Sequence, residues 1–191
     1  MKLVLASQSP RRREILTAAG FAFTVRASQV EEIRRAGEDP FDYVRRLAVE
    51  KARAVELGEG EVILSADTVV VCAGEVLEKP ADAADAARML KLLSGRKHEV
   101  LTGICLRTEG GETVDAARSW VRFCELDEDE IAAYVGSGEP FDKAGGYAIQ
   151  GLASKFISGI EGEYANVVGL PIALVYRRLK LNIFNSTMSQ L

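Results

Sequence analysis

Lys2-Leu3-Val4-Leu5-Ala6-Ser7-Gln8-Ser9-Pro10-Arg11-Arg12-Arg13-Glu14-Ile15-Leu16 opens the chain. Its apolar run, residues 2–6, reads as a buried strand that breaks at small polar residues. Ser9 then stands as a helix N-cap and Pro10 takes the first helical position. A helix over 10–19, closed by Gly20, follows directly. Arg11, Arg12 and Arg13 fall inside its first turn. That is the wrong sign for a helix N-terminus, where the macrodipole favours anions by about 0.3–1 kcal/mol per charge. An anion such as a phosphate chain would remove the conflict, taking backbone N–H groups and guanidinium forks together. The bland alternative is a solvated basic helix start.

Working outward, residues 21–26 read as a second strand and 40–57 as an amphipathic helix ending at Gly58. Glu61-Val62-Ile63-Leu64-Ser65-Ala66 is a near-continuous apolar strand, as in a parallel sheet covered on both faces. Thr68–Cys72 and Glu75–Leu77 read as a hairpin across Ala73-Gly74. Asp82 caps a helix to Leu93, with Ser94-Gly95 as its stop. Residues 98–107 and 113–124 are long strands joined by Glu109-Gly110-Gly111-Glu112. Asp127 caps a short acidic helix to Val135. A glycine-rich segment, 138–151, precedes a strand over 154–160 and a last helix from Pro171 to Leu181. The expected architecture is mixed α/β, a central sheet flanked by helices with a two-lobed shape. The expected domain is 1–182, with 183–191 a frayed tail.

Composition narrows the function classes. A net charge of −4 argues against a non-specific nucleic-acid binder, whose basic face usually dominates the count. No apolar run approaches the length of a membrane span, and the N-terminal run is too short for a signal peptide. Cys72, Cys105 and Cys124 are odd in number and widely spaced, so they read as reduced, half-buried strand residues. His98 is the one histidine, which excludes histidine-rich metal sites.

Several residues could carry chemistry. On helix 40–57 the apolar stripe is Phe41, Val44, Leu47, Ala48, Ala52 and Val55, and Lys51 falls on it. A lysine there snorkels out, meets an opposite charge, or lines a cleft and meets phosphate. Asp67-Thr68 stands where the apolar strand ends, a favoured place for ligands in α/β sheets. A carboxylate there can ligate a divalent cation or act as a general base. Its bland alternative is a turn-forming Asp. Glu31-Glu32 is a solvated acidic pair, or with Asp67 an oxygen-rich magnesium site. Lys79-Pro80 sets an extended lysine. Asp142-Lys143-Ala144-Gly145-Gly146-Tyr147-Ala148-Ile149-Gln150-Gly151 lets backbone approach a ligand closely, or is a surface turn. The Gln150 amide offers a donor and an acceptor to a base edge. There is no Walker loop and no G-x-G-x-x-G after a strand.

Together LASQSPRR at 5–12, SADTVV at 65–70, EKP at 78–80, LSGRKHEVLTG at 93–103, SGEPFDKAGGYAIQG at 137–151 and NVVGLP at 166–171 resemble the Maf family of nucleoside triphosphate pyrophosphatases, also described as septum-formation inhibitor proteins. DKAGGYAIQG looks like the branch acting on dTTP and UTP. The resemblance implies an elongated α/β, ITPase-like fold with a cleft between two lobes. It also implies a cytoplasmic location and a requirement for Mg2+ or Mn2+. The implied reaction is NTP + H2O → NMP + pyrophosphate, with a role in nucleotide-pool cleaning or division arrest. Asp67 matches the proton acceptor. Lys51 and Lys79 match catalytic phosphate-side lysines, with Ser7 and Arg12 beside them. Arg11, Thr68 and Gln150 match base-specificity positions. Asp67 and Glu32 match the metal ligands, although either glutamate of the Glu31-Glu32 pair could serve. The implied partner is the nucleotide, with a homodimer open and neither stable nucleic acid nor membrane. The rival is a non-enzymatic nucleotide-binding regulator of septum formation.

Overall fold

The computed structural model describes the backbone of residues 2–188 and the side chains of residues 2–181. Strand β1 (Lys2–Leu5) leads into helix α1 (Pro10–Ala18), with Ser9 as its N-cap, and then into β2 (Phe23–Val25). Helix α2 (Pro40–Arg53) starts where Asp39 Oδ1 accepts the Phe41 N–H at 2.8 Å. Strands β3 (Glu61–Cys72) and β4 (Glu75–Leu77) precede helix α3 (Ala83–Leu93), whose Asp82 cap accepts from the Asp85 N–H. Strands β5 (Lys97–Thr108) and β6 (Gly111–Phe123) lead to α4 (Glu128–Gly136), closed by an Asp127–Glu130 capping box. Three short 3-10 turns, strand β7 (Ile157–Glu161), α5 (Tyr164–Val168) and α6 (Ile172–Met188) complete the described chain.

Among the described residues seven strands form one sheet in the order β2-β1-β3-β5-β6-β7, with β4 also on β3. β1 pairs in parallel with β2 and β3, while β4 and β7 pair antiparallel with β3 and β6. The fold is therefore mixed α/β with helices flanking a mixed sheet, as the sequence implies. The chain divides into two compact units. The first holds the chain through Asp67, Thr102–Ala117 and the chain from Gly169 onward; the second holds Thr68–Leu101 and Arg118–Val168.

In the first unit the two faces of the sheet carry separate cores. Leu3, Leu5, Val62 and Leu64 pack with Leu16, Leu174 and Val175. The alternate residues Val4, Ala6, Ile63 and Cys105 pack under Ala48 and Ala52 of α2 and Val55 just beyond its end. This is the period-2 alternation of strands buried on both sides. α2 comes so close to β5 that a Cβ on Gly103 would sit 2.3 Å from the Val44 carbonyl oxygen, so only glycine fits there. The second unit has its own core, including Leu77, Leu90, Leu93, Val121, Phe123, Tyr134 and Phe156.

Several boundaries differ from the sequence reading. β3 is one continuous strand across Asp67, not a strand ending there followed by a separate hairpin arm. The buried carboxylate finds a cationic partner on α2, so the strand need not stop at it. α2 ends at Arg53 rather than 57, because Arg107 Nη1 takes the Ala52 and Val55 carbonyls at 3.2 and 3.0 Å. The strand expected over 154–160 starts only at Ile157, as β7, because residues 154–156 belong to a 3-10 turn over Leu152–Phe156. α5 was not anticipated. α6 runs to Met188 instead of stopping at Leu181, and residues 189–191 of the expected tail lie outside the described residues. Cys72 and Cys105 are fully buried and Cys124 is exposed, rather than all three being half-buried. Burial pushes the Cys105 thiol up to about 12.

Candidate active site

Two periodicities meet at Asp67. Along β3, Ile63, Ser65 and Asp67 share one face. Ile63 lies in the core beneath α2, and Ser65 Oγ donates to the Ala48 carbonyl of α2 at 2.5 Å. Along α2, Ala48, Lys51 and Ala52 share the facing stripe. Asp67 is 5% exposed and Lys51 8% exposed, so neither charge is left to water. Lys51 Nζ donates to Asp67 Oδ1 at 2.5 Å and to Glu32 Oε1 at 2.6 Å. Lys51 on this stripe does not snorkel out to water; it pairs with both carboxylates. Glu32, rather than Glu31, is the glutamate that meets it.

Glu32 lies in an irregular segment, so something must hold it. Arg46 of α2 does so from five residues before Lys51. Its Nε and Nη2 grip Glu38 at 2.6 and 2.7 Å, Nη2 also donates to the Ile33 carbonyl at 3.0 Å, and Nη1 reaches Glu50 at 3.0 Å. A forked guanidinium suits this task, because it binds a carboxylate through two parallel bonds. The residue beside Glu32 is thereby tied to the helix that carries Lys51.

Ser7 and Arg12 join the same unit's cluster. Arg12 Nε donates to the Gly169 carbonyl at 2.8 Å and Nη1 to Ser7 Oγ at 3.3 Å. Ser7 Oγ also accepts the Ser9 N–H at 3.2 Å. Burial pushes the Arg12 guanidinium below its ordinary value, while Asp67 and Glu32 favour its charge. Burial likewise pushes the Asp67 carboxyl up from its ordinary value, against the pull of Lys51 and Arg12. A carboxylate so placed is a better proton acceptor than one in water. Arg11, half-buried, follows Pro10 on α1.

The remaining sequence candidates belong to the second unit. Thr68, half-buried, follows Asp67 directly on β3. Lys79 and Gln150 are both exposed. The Gly145 N–H donates to the Glu78 carbonyl at 3.0 Å, and a Cβ on Gly146 would meet Pro80 Cγ at 3.2 Å. The segments bearing Lys79 and Gln150 are thus laced together on either side of Lys79. His98 is buried, its Nε2 2.8 Å from the Tyr147 hydroxyl. Burial pushes it down to about 4, so it is neutral at physiological pH.

Residues 2–181 match the family of Maf-like proteins. The chain belongs to the Maf family. Relatives of this Maf chain include a protein from Koribacter versatilis named dTTP/UTP pyrophosphatase, 52% identical over 181 residues and covering 94% of each chain. A protein of the same name from Anaeromyxobacter dehalogenans is 55% identical over 90% of this chain and 89% of its own. Another, from Geobacter sp. (strain M21), is 52% identical over 94% of each. Among solved structures, the Ham1 protein of Staphylococcus aureus superposes with a TM-score of 0.55 at 13% identity. It covers 95% of this Maf chain and 100% of its own length, a likeness of fold. Arg46 and the Gly169 carbonyl, which support the cluster, escaped the sequence reading. Arg46 reads as one more polar residue of an amphipathic helix, and a backbone carbonyl leaves no mark in a sequence at all.

Proposed function

We propose that this chain hydrolyses dTTP and UTP to the nucleoside monophosphate and pyrophosphate. The observation that carries the reading is the buried Lys51 ammonium held between Asp67 and Glu32, with Arg12 and Ser7 in the same unit. Hydrolysis of a phosphoanhydride needs neutralised charge and an aligned water more than a protein nucleophile. Lys51, Arg12 and Lys79 supply positive charge to phosphate oxygens. Asp67 accepts a proton from the attacking water, and its ion pair with Lys51 fixes its orientation. Base choice is assigned to Gln150, aided by Thr68 and Arg11. Uracil and thymine share an acceptor–donor–acceptor edge that a glutamine amide can pair. Family membership and the names carried by relatives at half identity or more support this substrate pair.

A divalent cation belongs to the same reading. Asp67 and Glu32 offer hard oxygen donors, and among the described residues no group of three or more His, Cys, Asp or Glu is placed to hold a metal. That set fits Mg2+ or Mn2+, which keep waters and share their coordination with substrate phosphates instead of needing an all-protein cage. Asp67 and Glu32 would hold the ion, which would supply charge neutralisation at the phosphates. A single catalytic domain over 1–182 and a cytoplasmic nucleotide-pool role complete the proposal. Among the described residues no helix is long and apolar enough to cross a membrane.

Pyrophosphate release from dTTP, UTP, CTP and GTP, with Mg2+ or Mn2+ added, tests the proposal. kcat/KM for dTTP and UTP should exceed that for CTP and GTP by at least about tenfold. Nucleotide binding without pyrophosphate release would favour a non-enzymatic regulator instead.

A further inference from the structure

We propose that Tyr134 and Glu139 are positioning residues for base recognition, fixing the backbone on both sides of Gln150. The inference rests on the assignment of base choice to Gln150. Glu139 lies in the first 3-10 turn after α4, twelve residues before Gly151 along the chain. The Tyr134 hydroxyl donates to Glu139 Oε1 at 2.8 Å and accepts the Ala148 N–H at 3.3 Å. Glu139 Oε2 accepts the Leu152 N–H at 2.9 Å. One hydroxyl and one carboxylate thus hold the N–H groups two residues before and two residues after Gln150. Between them, a Cβ on Gly151 would meet the Glu139 carboxylate, so the glycine there leaves that carboxylate room to reach the Leu152 N–H.

The ring and the hydroxyl of Tyr134 have separate tasks. The ring sits in the core of the second unit, edge-on to Phe156 at 5.6 Å between centroids. Phenylalanine would serve that purpose equally. The hydroxyl serves only the loop and Glu139. Gln150 itself is exposed, with a flexible side chain, so its amide can be aimed only as well as its backbone is fixed. A clamp two residues to either side provides that without occupying the amide. Neither Tyr134 nor Glu139 touches phosphate in this reading; they act through Gln150.

The test is the ratio of kcat/KM for dTTP over GTP in the full chain, with kcat and KM resolved. Tyr134→Phe and Glu139→Gln should each lower the ratio by about fivefold or more, the loss for dTTP appearing mainly in KM. Gln150→Ala should lower the ratio as well. The double variant Tyr134→Phe/Gln150→Ala should fall no further than Gln150→Ala alone, because both act through one contact. If Glu139→Gln does not fold, Tyr134→Phe, which keeps the core ring, decides alone. An unchanged ratio in folded Tyr134→Phe, or losses that simply add in the double variant, would overturn the positioning role while leaving Gln150 as the base reader. An unchanged ratio in Gln150→Ala would instead remove the base-reading assignment, and the clamp's proposed role with it. dTTP turnover retained in that variant would leave the pyrophosphatase reading standing.

Discussion

Lys51 carries two obligations at once. Its ammonium neutralises two carboxylates inside the first unit, and in the proposed reaction it also faces phosphate charge. Removing one partner of a buried ion pair usually costs about 3–5 kcal/mol, because the other charge is left unpaired. Lys51→Met keeps an unbranched stem on the buried face of α2 and deletes the charge. It should lower the melting temperature and cut kcat for dTTP by about tenfold or more, from lost transition-state stabilisation. Full turnover with Lys51→Met would make Lys51 a purely structural counter-ion. The place of Lys51 on the apolar stripe of α2 was legible, because its angular position follows from residue spacing alone, but spacing left open whether it snorkels out or meets a charge. Its partners were not legible in that way. Asp67 and Glu32 lie 16 and 19 residues away in sequence, and no local pattern links them to it. The resemblance to a family, not periodicity, brought those three residues together.

At the scale of elements, α2 is the organiser. It presents Lys51 to β3 and, five residues earlier, uses Arg46 to hold the segment that follows Glu32. Bonds from Arg46 hold the Glu38 carboxyl down at about 2, against an ordinary 4.5. A group whose pKa is depressed on folding adds stability above its unfolded value and loses it as pH falls through the folded one. Glu38 therefore stabilises the protein above about pH 4.5, and that contribution disappears on descent towards about pH 2. Urea midpoints measured along this descent should fall in the wild type. Glu38→Gln should start lower at neutral pH and fall less steeply; parallel curves would show that the Arg46 network does not secure this segment. The helix starts with a side-chain cap were readable elements: Ser9, Asp82 and Asp127 each mark one with a local hydrogen bond. The misread stretches had remote causes. β3 continues through Asp67 because α2 supplies a countercharge. The 3-10 turn at Leu152–Phe156, whose first N–H the Glu139 carboxylate takes, delays the last strand from residue 154 to Ile157.

At the scale of the whole molecule, the mixed sheet was legible from alternating strands and helices followed by hairpins. The division into units was not readable as a linker, since it falls within β3 between Asp67 and Thr68 and recurs inside β5 and β6. Asp67 is thus the last residue of one unit on a strand that runs on without interruption, and its backbone is fixed on both sides by the sheet. A carboxylate so held can be aimed more reliably than one on a loop. The central claim is that this carboxylate activates the water that cleaves dTTP. Asp67→Asn keeps the shape and removes the proton acceptor. The direct measurement is pyrophosphate release from dTTP by this variant, at saturating Mg2+ or Mn2+ and from about pH 6 to about pH 9. Circular dichroism and nucleotide binding would be followed alongside. Turnover should drop at least about a hundredfold while the protein stays folded and still binds nucleotide. Near-normal turnover by folded Asp67→Asn across that range would contradict the account and assign water activation to another group.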